Sequence, residues 1–243
     1  QKLEEVVLPE GLKTIKDSAF FTCIRLKKIN VPTSLRTIGG SAFSETEFNA
    51  FSLERVKKIG NMCFSGSKIK EVYLSKNCRT SSLVFWGSVN LKKATIEKGV
   101  KKISYGMFCD TALKTIDIPG SVFQIGEDAF ADCKKLQKVT LHEGIKKVGK
   151  NAFYNTSLKE ITIPSTVTKL GKNAFRRESM EKSSLKKVLI RSKNIKKWGT
   201  MVFGATRDDL VIYVPQSKKA EYDKILRSTN GLDFHAKIVG KNW

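Results

Sequence analysis

One phrase recurs along this chain and constrains its fold more than any other feature. The pattern Leu-x-x-Ile-x-Ile-Pro-x-x-Val-x-x-Ile-Gly-x-x-Ala-Phe-x-x-Cys returns about every 22 or 23 residues, with some looser copies. Its aromatic column reads Phe20, Phe43, Phe64, Phe108, Phe130, Phe153, Phe175 and Phe203, with Trp86 in the remaining slot. A fixed period of this length marks stacked supersecondary units that share one continuous core. No single unit can bury its own apolar residues, but a stack in register can. The pattern argues against an ordinary globular enzyme.

Nine copies begin at Leu3, Leu26, Phe48, Ile69, Leu91, Leu113, Leu136, Leu158 and Leu185. Each opens Leu-x-x-apolar-x-apolar, and the last two apolar residues share one face of a strand. Pro9, Pro32, Pro119, Pro164 and Pro215 close this strand, having no N–H to continue a ladder. A second apolar pair follows, as in Leu12/Ile15, Leu35/Ile38 and Val122/Ile125. Gly39, Gly60, Gly126, Gly149, Gly171 and Gly199 then predict a sharp turn with unusual backbone angles. The following Ala-Phe, as at Ala129-Phe130, predicts one short helical turn. Three copies depart: the third lacks Pro and is a residue short, the fourth has Phe85-Trp86 for Ala-Phe, and the eighth carries an insertion over 177–183 that should bulge as a loop.

These residues resemble the BspA-like, or treponemal-type, leucine-rich repeats over roughly residues 3 to 240. The resemblance implies an α/β repeat solenoid: a right-handed leucine-rich-repeat superhelix of about nine coils, strand-rich with short helical turns. One ladder uses the opening strands and a second uses the Val-x-x-Ile segments. The repeat array spans 1–209 and a capping unit spans 210–243. In the cap, Leu210 to Pro215 reads as a strand, Ser217 to Arg227 as a helix containing Tyr222, and Asp233 to Val239 as a last strand. Gln1 starts almost inside a repeat, which suggests a piece of a longer protein. The family implies a secreted or surface-attached adhesive protein of microbes or protists, with a host or cell-surface protein or an anionic glycan as partner.

Lys plus Arg number 45 against 23 Asp plus Glu, a net charge of +22, so polyanions are attracted. The cations are placed regularly. Between the second pair of core residues lie two outward positions. They carry Lys13, Arg36, Lys57, Lys58, Arg79, Lys101, Lys102, Lys146, Lys147, Lys169, Lys196 and Lys197. At strand spacing these form a basic ladder roughly 40 Å long. Lys27, Lys70, Lys92, Lys114, Lys159 and Lys186 form a second set after the opening Leu. Lysine outnumbers arginine on the ladder, which favours diffuse attraction over planar bidentate recognition. The competing interpretation is a solvated, solubilising surface copied by duplication. Nucleic-acid binding rests on charge alone, because most aromatics occupy the core column. Tyr73 and Phe123 point outward, and Trp198 takes a core Ile slot. A protein scaffold using a patch around Tyr73, Trp86 and Phe123 is the alternative function.

Catalysis finds no support. Cys23 and Cys133 sit in a buried column, Cys63 takes an Ala slot, Cys78 a Val slot, and Cys109 follows Phe108. Cys23 and Cys133 are five coils apart, more than about 20 Å at strand spacing, beyond disulfide reach. No metal-ligand spacing occurs, and the two histidines, His142 and His235, lack a patterned nucleophile. No cofactor is expected. No apolar run approaches a membrane span. Asn155-Thr156-Ser157 fits a glycosylation acceptor, a short pattern with a high chance rate.

Overall fold

Alternation builds the first ladder. In Thr115–Ile118, Lys138–Leu141 and Glu160–Ile163, residues two apart bury their apolar side chains while their neighbours face outward. The computed structural model describes residues 2–177, 184–204, 209–229, 232 and 236–243. Within it Ile116 pairs in parallel with Val139 and Ile161 with Val188 of the next coil, while Lys138–Leu141 and Glu160–Ile163 belong to separate sheets. The ladder is interrupted in coil three, where Phe48, Phe51 and Leu53 are buried but carry no strand. There Phe48 and Phe51 pack on Phe43 at 5.3 and 5.0 Å between ring centroids.

The second ladder consists of two-residue strands and falls into two sheets. One joins Thr14–Ile15, Thr37–Ile38, Lys58–Ile59 and Arg79–Thr80. The other joins Lys102–Ile103, Gln124–Ile125, Lys147–Val148, Lys169–Leu170 and Lys197–Trp198. The basic ladder is therefore two segments, not one unbroken row. The break follows coil four, which is a residue short: Thr80 pairs with Ile59 and so occupies the core slot. Its Oγ1 lies 3.2 Å from Ser104 Oγ across the break.

The third side is made of stacked turns, and here two sequence expectations are corrected. The Ala-Phe segments form hydrogen-bonded turns, not helix, and bond onward to the next coil: Phe108 N–H donates to Ala129 O and Phe130 N–H to Ala152 O. The column glycines do not adopt the left-handed region. They are needed because a Cβ has no room: at Gly171 it would lie 2.4 Å from the Gly149 carbonyl carbon. Left-handed backbone belongs to the residue two positions later, as at Asp128, Asn151 and Asn173. Asn and Asp tolerate that conformation better than most residues. Their side chains also chain together, Asn173 Nδ2 to Asn151 Oδ1 and Asn151 Nδ2 to Asp128 Oδ1.

A stack of rings fills the interior. Successive rings from Phe20 to Phe203 lie 5.2–5.6 Å apart and near parallel. In coil four the ring belongs to Phe85, which is fully buried, and not to Trp86, which is 43% exposed. The sequence offered two adjacent aromatics, and the coil's register selects the first. Past the Phe column, Thr46, Thr111 and Thr156 hydroxyls donate to the Phe carbonyl three residues before them. Cys133 extends this column, its thiol donating to Phe108 O at 3.0 Å. Burial pushes that thiol up to about 11. None of the five cysteines forms a disulfide.

The C-terminal unit continues the first ladder and covers its end. Val211–Pro215 pairs with the strand Lys187–Ile190, and Lys237–Lys241 pairs with Val211–Pro215. The last strand thus lies later than the 233–239 expected from sequence; 233–235 fall outside the described residues, as do His235 and 178–183 of the insertion. Helix Lys219–Thr229 places Tyr222 in the core. Its hydroxyl donates to Ser192 O at 3.1 Å and accepts from Ile195 N–H at 3.2 Å. Trp198 packs against it edge-on at 5.1 Å, in keeping with a structural role.

Candidate cation groove

Register turns the outward positions of the second ladder into neighbours. Lys147 pairs with Lys169 and Lys169 with Lys197, one coil apart each time. The parallel row runs Lys101, Phe123, Lys146, Thr168, Lys196 through backbone bonds of 2.9 Å. Phe123 and Thr168 separate its lysines, whereas the first row keeps three in succession. Lys13, Lys57, Lys58, Arg79, Lys101, Lys102, Lys146, Lys147, Lys169, Lys196 and Lys197 are all exposed. Arg36 differs. Its guanidinium turns back and donates to Thr33 O at 2.7 Å and Leu35 O at 2.9 Å. It is half-buried and largely committed to its own coil.

In the five-stranded segment the cations border a groove of about 530 Å³. The column glycines Gly149, Gly171 and Gly199 line it. Lys147, Lys169 and Lys197 come from the strands, Lys196 from the residue just before one, and Lys150 and Lys172 from the position after glycine. Sequence reasoning missed those two, because their column does not repeat a cation: it holds Gly40, Asn61, Tyr105 and Glu127 in other coils. Glu127 is the one carboxylate lining the groove. None of its six lysines is ion-paired among the described residues.

The first ladder contrasts with this. There Lys28 meets Glu5 at 3.6 Å, Lys93 meets Glu71 at 3.2 Å and Lys76 meets Glu97 at 3.2 Å. Lys27, Lys70, Lys92, Lys114, Lys159 and Lys186 are exposed among these mixed charges. Carboxylates thus offset part of the first ladder's charge, whereas the six groove lysines have no such partner among the described residues.

The expected aromatic patch is not assembled. Tyr73 and Phe123 are each 41% exposed, as anticipated. But Tyr73 lies on the first ladder, Phe123 on the second, and Trp86 on the turn side. Three faces of a solenoid cannot present one contact surface. His142 is exposed and lies 2.7 Å from Asp117. Among the described residues, no cluster of His, Cys, Asp and Glu is set to hold a metal, and no helix is long and apolar enough to cross a membrane.

Comparison with known proteins places this architecture. Residues 1–111 and 101–224 match the family described as BspA type leucine rich repeat region, in six copies. A leucine-rich repeat protein from Bacteroides ovatus is similar with a TM-score of 0.77 and 25% identity over 86% of this chain. The chain spans 55% of that protein's structure. A leucine-rich cell surface protein from Faecalibacterium prausnitzii superposes at 0.54, with 20% identity over 99% of this chain and 80% of its own. A leucine-rich repeat protein from Eubacterium ventriosum does so at 0.51, with 21% identity over 87% and 67%. No curated protein matches the chain.

Proposed function

The chain belongs to the BspA-type leucine-rich repeat family, and from that premise we propose that it is a non-enzymatic binding module of a microbial surface that captures an anionic polymer. The observation that carries this reading is the groove lined by Lys147, Lys150, Lys169, Lys172, Lys196 and Lys197 with no ion pair among the described residues. A solvated surface would gain by interspersing acids, as the first ladder does. Coils repeat every 4.8 Å or so. A flexible chain bearing a sulfate, phosphate or carboxylate at comparable spacing can therefore meet a cation at each step. Ammonium groups recognise such charges without demanding planar geometry. An acidic protein segment offers the same charges, with less regular spacing.

Retention on heparin–agarose, compared with a plain sulfonate exchanger, tests this. The wild-type chain should elute from heparin at clearly higher salt than from the sulfonate resin. Changing Lys147, Lys169, Lys172 and Lys197 to Glu should remove that difference. Six contacts imply a log–log salt slope of about −4 to −5. Equal elution from both resins would reduce +22 to bulk charge and reject the reading. Protease shaving of intact cells tests the surface location: protection from added protease would refute it.

A further inference from the structure

A cleft lies on the turn side of coils three to seven and shares no lining residue with the lysine groove. We propose that it is a binding site for a neutral, hydroxyl-rich ligand, an oligosaccharide lying along the solenoid axis.

One column creates it. The residue after each stacked Phe is Trp86 in coil four, Cys109 in coil five, Ala131 in coil six and Tyr154 in coil seven. Rings at both ends and small side chains between leave a trough three coil steps long, about 14 Å at strand spacing. The cavity measures about 540 Å³. That is the size of a small-molecule site with mixed apolar and polar walls. Tyr105, 46% exposed, adds a third ring.

The polar groups are acceptors held in place. Asn151 Nδ2 donates to Asp128 Oδ1 at 2.9 Å, and Asn155 Nδ2 to Asp132 Oδ1 at 2.6 Å. The nearby Asp128 charge, with burial, holds the Tyr105 phenol above its ordinary pKa. Each carboxylate keeps further lone pairs for a ligand's donors. Sugar hydroxyls supply several donors per ring, and the C–H faces of a pyranose fit the negative face of Trp or Tyr. Cys109 offers no competing chemistry, since burial pushes its thiol up to about 12.

Charge selects among ligands. An anion would meet Asp128 and Asp132 at the walls. A cation would be welcomed locally but must approach through the field of a chain carrying +22. A neutral ligand meets neither obstacle. The cleft is thus suited to ligands that the lysine groove does not attract.

The test is calorimetric titration of the full chain with cellohexaose, chitohexaose and mannohexaose, followed by variants. Ala131→Tyr fills the trough, and the same column already carries Phe21, Trp86 and Tyr154, so a ring fits the coil there. Saturable binding of at least one hexasaccharide is expected, weakened at least tenfold by Ala131→Tyr and by Trp86→Ala. It should persist in the Lys147→Glu, Lys169→Glu variant and from 50 to 500 mM NaCl. Thermal unfolding of each variant confirms that the fold is kept. No saturable binding at 10 mM, binding untouched by Ala131→Tyr, or binding only of a trimethyllysine peptide would each overturn the assignment.

Discussion

Gly171 and Gly11 share a residue type and serve opposite needs. Gly11 has φ +92° and open space around it, so only its backbone conformation requires glycine. Gly171 lies outside the left-handed region, and there a Cβ would collide with Gly149 and Lys150 backbone at 2.4 Å. Gly171→Ala should therefore cost about 1–3 kcal/mol by overpacking. Gly171→Asn should cost more. Gly11→Ala should cost about 1–2 kcal/mol, and Gly11→Asn less, because Asn tolerates left-handed backbone. Urea unfolding of the four variants checks this; equal ranking of Asn and Ala at both sites would contradict it. Glu97 presents a charged counterpart. Lys76 N–H donates to its Oε2 at 2.9 Å and the Lys76 ammonium lies 3.2 Å from Oε1. That backbone hydrogen bond, opposed by burial and aided by the ammonium, holds the carboxyl below its ordinary value of 4.5. A group with a depressed folded pKa stabilises above its unfolded pKa and loses that contribution as pH falls through the folded value. Glu97→Gln should thus be less stable than wild type at pH 7. The gap should close as pH drops below about 4.5. A gap that stays constant with pH would assign the loss to packing.

Coil four shows how an element can be legible in kind and hidden in register. The period and the two strand ladders were readable, because each recurs with the same apolar spacing. Which of Phe85 and Trp86 enters the core was not readable, since either letter satisfies the pattern. The answer depends on a residue missing between Cys78 and Thr80, which only the pairing of Thr80 with Ile59 reveals. The glycine column failed for a related reason: the same letter answers a backbone angle or a steric contact, and the sequence distinguishes neither. The corrected register makes a strong prediction. Phe85→Ala should cost about 3–5 kcal/mol, as for a large buried aromatic. Trp86→Ala should stay within about 0.5 kcal/mol, as for a surface change. Chemical denaturation of both variants decides it, and the reverse order would restore Trp86 to the stack.

At the scale of the molecule, the cation face was legible wherever its column repeats and invisible where it does not. The twelve ladder residues came from a repeating position, whereas Lys150 and Lys172 share a column with Glu127 and Tyr105 and join the groove only through coil stacking. The aromatic cleft escaped for the same reason, since it depends on Cys109 and Ala131 being small between two rings. Stacking also imposes a cost on the cation face. Lys147, Lys169 and Lys197 are directly paired across neighbouring strands, and like charges so placed destabilise a sheet by about 0.2–1 kcal/mol per pair. Salt screens such repulsion, with a Debye length near 10 Å at 0.1 M and about 3 Å at 1 M. Added salt should therefore raise the melting temperature while it weakens retention on heparin. Lys169→Glu should separate the two effects further. It replaces both repulsive pairs with attractive ones, so at low salt it should melt higher than wild type while eluting earlier from heparin, and its melting temperature should gain less from NaCl. A wild-type melting temperature that is flat or falls between 20 and 500 mM NaCl would mean that the lysines are spread far enough to ignore one another, and a groove so loosely charged would not favour a polymer over scattered ions.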